Sequence, residues 1–274
     1  MTRRQRLDAE LVRRGLARSR EHASSLIEAR QVTVAGTVAA KSATVVGTDQ
    51  AIVVRSRSEE PDFASRGAHK LIGALEAFGA KGLEVADKRC LDAGASTGGF
   101  TDVLLRRGAR EVVAADVGYG QLTWRLQQDT RVRVLDRTNV REIDADRIGG
   151  VVDLVVADLS FISLAVVLPA LAGVTRTEGD LVLMVKPQFE VGRERLGKKG
   201  VVRDPDLHAD AVWGVCRAAD GLGWGTRGVV ASPLPGPAGN VEYFGWFRTD
   251  AGPVVEADLR HAIAEGPLSK KGQR

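Results

Sequence analysis

Cys90-Leu91-Asp92-Ala93-Gly94-Ala95-Ser96-Thr97-Gly98-Gly99-Phe100 reads as a short buried strand, a glycine-rich turn and the start of a helix. An acid stands at the strand end, and only small residues separate it from Gly98. Backbone without Cβ atoms can approach a nucleoside closely, and a helix start offers free N–H groups. A second acid, Asp116, closes the next strand (Val112-Val113-Ala114-Ala115-Asp116), 17 residues after Gly99. In doubly wound nucleotide sites, an acid about 20 residues past the glycine turn holds the ribose hydroxyls. The glycines do not follow the G-x-G-x-x-G order, so a dinucleotide is not the first expectation.

The same alternation continues outward. Strands are expected at about 89–93, 111–116, 131–135, 151–157 and 180–186 with helices between them, the doubly wound α/β pattern. Segments 225–232 and 241–249 read as a closing pair of strands, and a helix over about 68–78 opens this domain. Ahead of it lies a smaller α+β unit. Leu7, Leu11, Val12 and Leu16 recur at helical spacing, Ser19 caps a second helix to about Ala29, and residues 31–34 and 51–54 read as strands. We expect domains at 1–60 and 67–274, joined by a charged, proline-bearing linker at 61–66.

Charge separates the two parts. Residues 1–60 hold 11 Lys and Arg against 7 Asp and Glu, whereas residues 61–274 hold 28 of each. The whole net charge of +4 therefore sits in the small unit, which suits a polyanionic partner. No apolar run approaches the roughly 18 residues of a membrane helix, and no apolar stretch follows the N-terminal arginines. A cytoplasmic protein with Cys90 and Cys216 reduced is expected, without a membrane and as a monomer by default. The four histidines are scattered, and no metal site is expected.

Four charged residues stand where fold alone explains a charge poorly. Lys70 follows Ser65-Arg66-Gly67-Ala68-His69, Asp158 ends strand four, Lys186 ends strand five ahead of Pro187, and Glu242 opens the last strand. Carboxyl ends of strands line the ligand crevice in an open α/β sheet, so Asp158 and Lys186 belong on the edge that carries the glycine turn. Charges flanked by apolar strand residues are costly to bury unpaired.

These strings carry a resemblance. D-x-G-x-x-x-G-G with an acid ending strand two resembles the S-adenosylmethionine site of Rossmann-like methyltransferases, whose mostly parallel sheet has seven strands. Lys70, Asp158, Lys186 and Glu242 resemble the Lys-Asp-Lys-Glu tetrad of ribose 2′-O-methyltransferases. Asp-Val-Gly-Tyr-Gly-Gln-Leu, Asp-Leu-Ser-Phe-Ile-Ser, Val-Lys-Pro-Gln-Phe-Glu and Gly-Asn-Val-Glu-Tyr-Phe are similar to the TlyA family. The N-terminal run Leu-Val-Arg-Arg-Gly-Leu-Ala-Arg-Ser-Arg resembles the RNA-binding domain named for ribosomal protein S-four.

The resemblance implies 2′-O-methylation of cytidine in 16S and 23S ribosomal RNA within the small and large subunits, with S-adenosylmethionine as cofactor. It implies a cofactor set of Asp92, Gly94, Ala95, Ser96, Thr97, Gly98, Gly99, Phe100, Asp116, Asp136 and Asp158. Asp116 would take the ribose, Asp136 the adenine edge, and Asp92 either the methionine end or the shape of the loop. Lys186 would be the base, with Lys70, Asp158 and Glu242 setting its charge and orientation. Arg4, Arg6, Arg14, Arg18, Arg20, Lys41, Arg66 and Arg137 would meet RNA, and Gln188, Phe189 and Glu190 would cover a flipped cytidine. Two other classes stand beside this reading: a catalytically silent ribosome-assembly factor, and a membrane-active haemolysin, which the absence of a membrane segment disfavours.

Overall fold

The computed structural model describes residues 4–54, 63–197 and 200–266. The chain divides into two units, Met1–Asp62 and Phe63–Arg274, each with its own core.

The first unit runs β1 (Arg4–Arg6), α1 (Leu7–Arg13), α2 (Arg20–Glu28), β2 (Val32–Val34), β3 (Thr37–Val38), β4 (Val45–Gly47) and β5 (Ile52–Val54). Leu7, Leu11, Ala23, Ile27 and Val32 are fully buried between the helices and strands. Ser19 caps α2 by accepting the His22 N–H at 3.1 Å. Helix α1 stops earlier than the apolar spacing suggests: Gly15 takes a positive φ of 70°, and Leu16 lies outside the helix, partly exposed. The short strands β1, β3 and β4 add a β1–β4 pair and a β3-β2-β5 sheet that the sequence reading did not contain.

The second unit opens with α3 (Ala68–Gly79), followed by β6 (Arg89–Ala93), α4 (Gly99–Arg106), β7 (Glu111–Ala115), α5 (Trp124–Gln127), β8 (Val132–Leu135) and α6 (Ala145–Ile148). It continues through β9 (Val152–Ala157), α7 (Leu164–Gly173), β10 (Thr175–Val185), α8 (Pro187–Glu190), α9 (Pro205–Asp220), β11 (Gly225–Ala231), β12 (Tyr243–Arg248) and α10 (Glu256–Ala264). The strands form one seven-stranded sheet in the order β11-β12-β10-β9-β6-β7-β8. Pairing is parallel from β8 to β10, and β12 runs antiparallel to both β10 and β11. Apolar side chains from the two faces of this sheet enter two separate cores, because both faces are covered by helices. The chain reverses direction across the sheet between β6 and β9, the position where open α/β sheets form their crevice.

Three boundaries differ from expectation. Strand β10 begins five residues early, its polar first turn joined to the apolar run by a register shift between Thr175 and Asp180. Lys186 and Glu242 lie just outside β10 and β12 rather than within them. Of the linker expected at 61–66, residues 61 and 62 lie outside the described residues. Residues 63–66 belong with the second unit, where the Ala64 N–H donates to Asp102 at 2.9 Å and Arg106 lies over the Phe63 ring at 4.5 Å.

Candidate active site

The glycine turn after β6 is held from beneath. Gly94 and Ala95 donate their N–H groups to the Ala115 carbonyl at 2.8 and 3.1 Å. Gly94 has a φ of 86°, and a Cβ there would meet the Asp158 carbonyl oxygen at 2.8 Å, so the turn and the end of β9 touch only because this residue is glycine. Gly98, φ 99°, starts α4 from the left-handed region. Asp116 accepts the Ser96 N–H at 2.8 Å on one oxygen and the Gly118 N–H at 2.7 Å on the other. A carboxylate has about four acceptor positions, so each oxygen keeps capacity for a hydroxyl. Asp136 accepts the Gly120 N–H at 3.1 Å, which joins the segments following β7 and β8.

Asp92 is fully buried and accepts the Thr101 hydroxyl at 2.7 Å. Burial pushes its carboxyl up to about 7, and its second oxygen has no partner. Of the two roles open to it, this geometry supports shaping the turn. The sequence assigns neither Thr101 nor Asp102 a role of its own; buried Asp102 ties Arg106, Arg125 and Ala64 together at 2.7–2.9 Å.

The four dispersed charges come together as two pairs. Lys70, in the first turn of α3, and Glu242 approach to 2.5 Å, and both are buried. Lys186 and Asp158 also approach to 2.5 Å, and Lys186 donates to Ser160 at 3.2 Å. A cavity of about 320 Å³ is lined by both Lys186 and Glu242, so the pairs face one space. Asp158 Oδ1 is the oxygen that pairs with Lys186, whereas Glu242 Oε1, the oxygen turned away from Lys70, has no hydrogen-bond partner. A buried acceptor left in this way is costly unless something else occupies it.

Aromatic rings flank the same cavity. Phe161 and Phe189 line it with centroids 5.3 Å apart, and Phe161 is 91% exposed. Phe161 has a φ of 64°, Ser96 of 47° and Arg137 of 51°, so the segments leaving β9, β6 and β8 each hold a residue other than glycine in left-handed backbone. Only the exposure and backbone of Phe161 single it out; a lone phenylalanine carries no sequence signal. Gln188 lines the cavity, but Glu190 does not reach it. Glu190 instead caps α7, accepting from the Ser163 hydroxyl at 2.6 Å and the Leu164 N–H at 2.9 Å, and burial pushes its carboxyl up.

The expected RNA contacts divide. Arg4, Lys41, Arg66 and Arg137 are exposed, and Arg137 sits 4.5 Å over the Tyr119 ring. Arg18 is exposed, its N–H donating to His22 at 3.1 Å. Arg6 and Arg20 bind the buried Asp8 at 2.9 and 3.0 Å with much of each side chain still in solvent. Arg14 is a structural residue: Glu10 and the Thr48 and Gln50 carbonyls take its guanidinium, which leaves little for phosphate. Cys90 and Cys216 are buried free thiols, pushed up to about 12 and about 11 by desolvation. Among the described residues no three potential metal ligands gather, and no helix is long and apolar enough to cross a membrane.

The sequence matches the FtsJ-like methyltransferase family over residues 63–249 and the S4 domain over residues 5–52. It is 59% identical over 272 residues to the 16S/23S rRNA (cytidine-2'-O)-methyltransferase TlyA of Mycobacterium tuberculosis, covering 97% of this chain and 100% of that protein. The chain belongs to the TlyA family. Hemolysin A of Brachyspira hyodysenteriae is 34% identical over 244 residues, 88% of this chain and 99% of that one. A solved structure from Streptococcus thermophilus, provisionally described as a hemolysin, superposes with a TM-score of 0.76 at 35% identity, covering 100% of this chain and 98% of that one. The expected family, the seven-stranded fold and the preceding S4 domain are therefore found in this chain.

Proposed function

We propose that this protein transfers a methyl group from S-adenosylmethionine to the 2′-oxygen of cytidine in 16S and 23S ribosomal RNA, acting in the cytoplasm on ribosomal subunits. The observation that carries the reading is that Lys70–Glu242 and Lys186–Asp158 each send one member, Glu242 and Lys186, into one cavity, while the Asp158 backbone touches the glycine turn at Gly94. The names of the relatives support the substrate, and the S4 match supports an RNA partner.

Spare acceptor capacity on both oxygens of Asp116, beside the Ser96 N–H of the glycine turn, fits the ribose of an adenosyl group. Asp116 would hold its ribose, Asp136 its base edge, and Ala95 to Phe100 its flank. When bound, the cofactor supplies an electrophilic methyl on a sulfonium. In its neutral amine form Lys186 Nζ, held between Asp158 and Ser160, would take the proton of a ribose hydroxyl entering the cavity, its own ammonium proton having first been lost to solvent. Glu242 Oε1 accepts a hydrogen bond from the entering sugar, while Lys70 holds the other oxygen and keeps that carboxylate in place. A base within a folded helix cannot bring its ribose this deep, so the nucleotide leaves the stack and meets Phe161 and Phe189.

Lys186→Ala tests the reading in one preparation. Methyl transfer to isolated subunits should vanish, with cofactor and subunit affinities close to wild type, because the side chain acts on the reacting hydroxyl. The wild-type product should resist alkaline cleavage at the modified nucleotide, since a methylated 2′-oxygen cannot attack the adjacent phosphate. Mass spectrometry that finds the methyl on the base overturns the assignment, whereas an active Lys186→Ala protein overturns only the choice of base.

A further inference from the structure

A second cavity, about 740 Å³, adjoins the first and plays no part in the chemistry above. Val201, Arg203, Ala209, Ala238, Arg260 and Ala264 are among its walls. Ala238 also lines the tetrad cavity, and Gly200 and Asn240 of that cavity are chain neighbours of Val201 and Gly239 in this one. The partition between the two spaces is therefore only one or two residues thick. Asn240 pins it: its Oδ1 accepts the Val202 N–H at 2.9 Å, its Nδ2 donates to the Gly200 carbonyl at 3.0 Å, and its own carbonyl accepts the Gly236 N–H at 2.9 Å.

Charge on the wall is uneven. Arg260 bonds Glu256 at 2.7 Å, with Asp206 close to it as well, so its charge is already answered. Arg203 is exposed, and among the described residues no carboxylate pairs with it. The cavity thus offers one uncommitted guanidinium beside an apolar wall of Val201, Ala209, Ile263 and Ala264. Its volume lies within the range of about 300–1,000 Å³ usual for pockets that take small organic ligands.

A ribose presented to Lys186 and Glu242 is part of a polynucleotide, and the next residue of that strand must leave the cavity nearby. We infer that the second cavity receives the nucleotide adjoining the methylated cytidine, its base against the apolar wall and its phosphate on Arg203. The inference rests on the ribose-methylation reading and extends it to a second subsite. Apolar surface suits a base face, and a planar guanidinium suits a phosphate.

The test compares wild type with Arg203→Glu, Arg203→Lys, Arg203→Ala and Ala264→Trp, using isolated ribosomal subunits as substrate and a separate cofactor titration. Arg203→Glu and Ala264→Trp should raise KM for subunits at least tenfold with kcat within about twofold and cofactor affinity unchanged, and Arg203→Lys should recover most of the loss. Arg203→Ala should lower the slope of log K against log salt by about one. Arg203 is on the surface, so its variants remain informative even if Ala264→Trp folds poorly. In addition, p-benzoylphenylalanine in place of Ala209 should photocrosslink to the nucleotide next to the modified one. An active wild type with indifferent Arg203 variants, or crosslinks to residues 267–274 of the same chain, would overturn the subsite. A wild type that methylates no ribosomal RNA would instead overturn the reading beneath it.

Discussion

Asp92 shows how much a single buried carboxyl can govern. One oxygen holds Thr101, the other is partnerless, and burial keeps the proton on until about pH 7, against 3.8 in the unfolded chain. A raised folded-state value contributes stability that is complete below about pH 4 and is lost as pH rises through 7. Asp92→Asn keeps an acceptor for Thr101 and cannot ionise. From pH 5 to pH 8 its stability relative to wild type should therefore improve by about 2–3 kcal/mol, read from paired melts. A gap that does not change with pH would mean the charge is satisfied in solution. Asp8 and Glu10 run the other way, held at about 2 chiefly by bonds from Arg6 and Arg13, so their contribution is present above about pH 4 and lost as pH falls toward 2. Sequence located Asp92 but left its role open, because a strand-end acid looks the same whether it faces a ligand or a threonine in the first turn of the next helix. It likewise offered Arg14 as a phosphate contact, since nothing in a basic run reveals which member will find a buried glutamate.

At the level of elements, the connection between β11 and β12 decides whether the tetrad can close. Gly236 and Asn240 pinch this connection into a turn, and a Cβ at Gly236 would lie 2.5 Å from Glu242 Oε1. The carboxylate therefore occupies space that any other residue would claim. Gly236→Ala should push Glu242 off Lys70 and lower kcat at least tenfold, about 1.4 kcal/mol or more of barrier, while cofactor titration and melting temperature stay near wild type. Unchanged turnover would show that the turn can yield. The strands around this loop were legible because each is a run of apolar residues bounded by turn formers. Strand β10 was legible only in its buried half, as Thr175 to Gly179 are polar and join it across a register shift. Strands β1, β3 and β4 of the first unit carried no such signal, being two or three residues long, whereas the equally short β2 and β5 were legible from their valine-rich runs.

Across the whole molecule, charge and chemistry are assigned to different units. The basic excess lies in residues 1–60, the paired lysines and carboxylates in the second unit, and among the described residues each unit has a core of its own. A protein beginning at Phe63 should fold and bind cofactor with near wild-type affinity, yet lose at least tenfold in subunit affinity; full-length binding should weaken steeply with added salt. Calorimetry and subunit pelleting measure the two halves of that expectation, and a truncated protein that still binds subunits fully would remove the basic unit from recognition. Composition made the two-part plan legible, but the second cavity was not, because its walls come from residues 201–209, 238 and 260–264, which share no pattern. One topological detail also sets the order of events during synthesis. Strand β12 lies between β10 and β11, and β11 has no other neighbour in the sheet. A nascent chain halted before residue 242 therefore has an unanchored strand and three of its four reacting side chains. Since Glu242 is fixed only when β12 inserts, the reacting set is assembled later than the sheet that carries its other members.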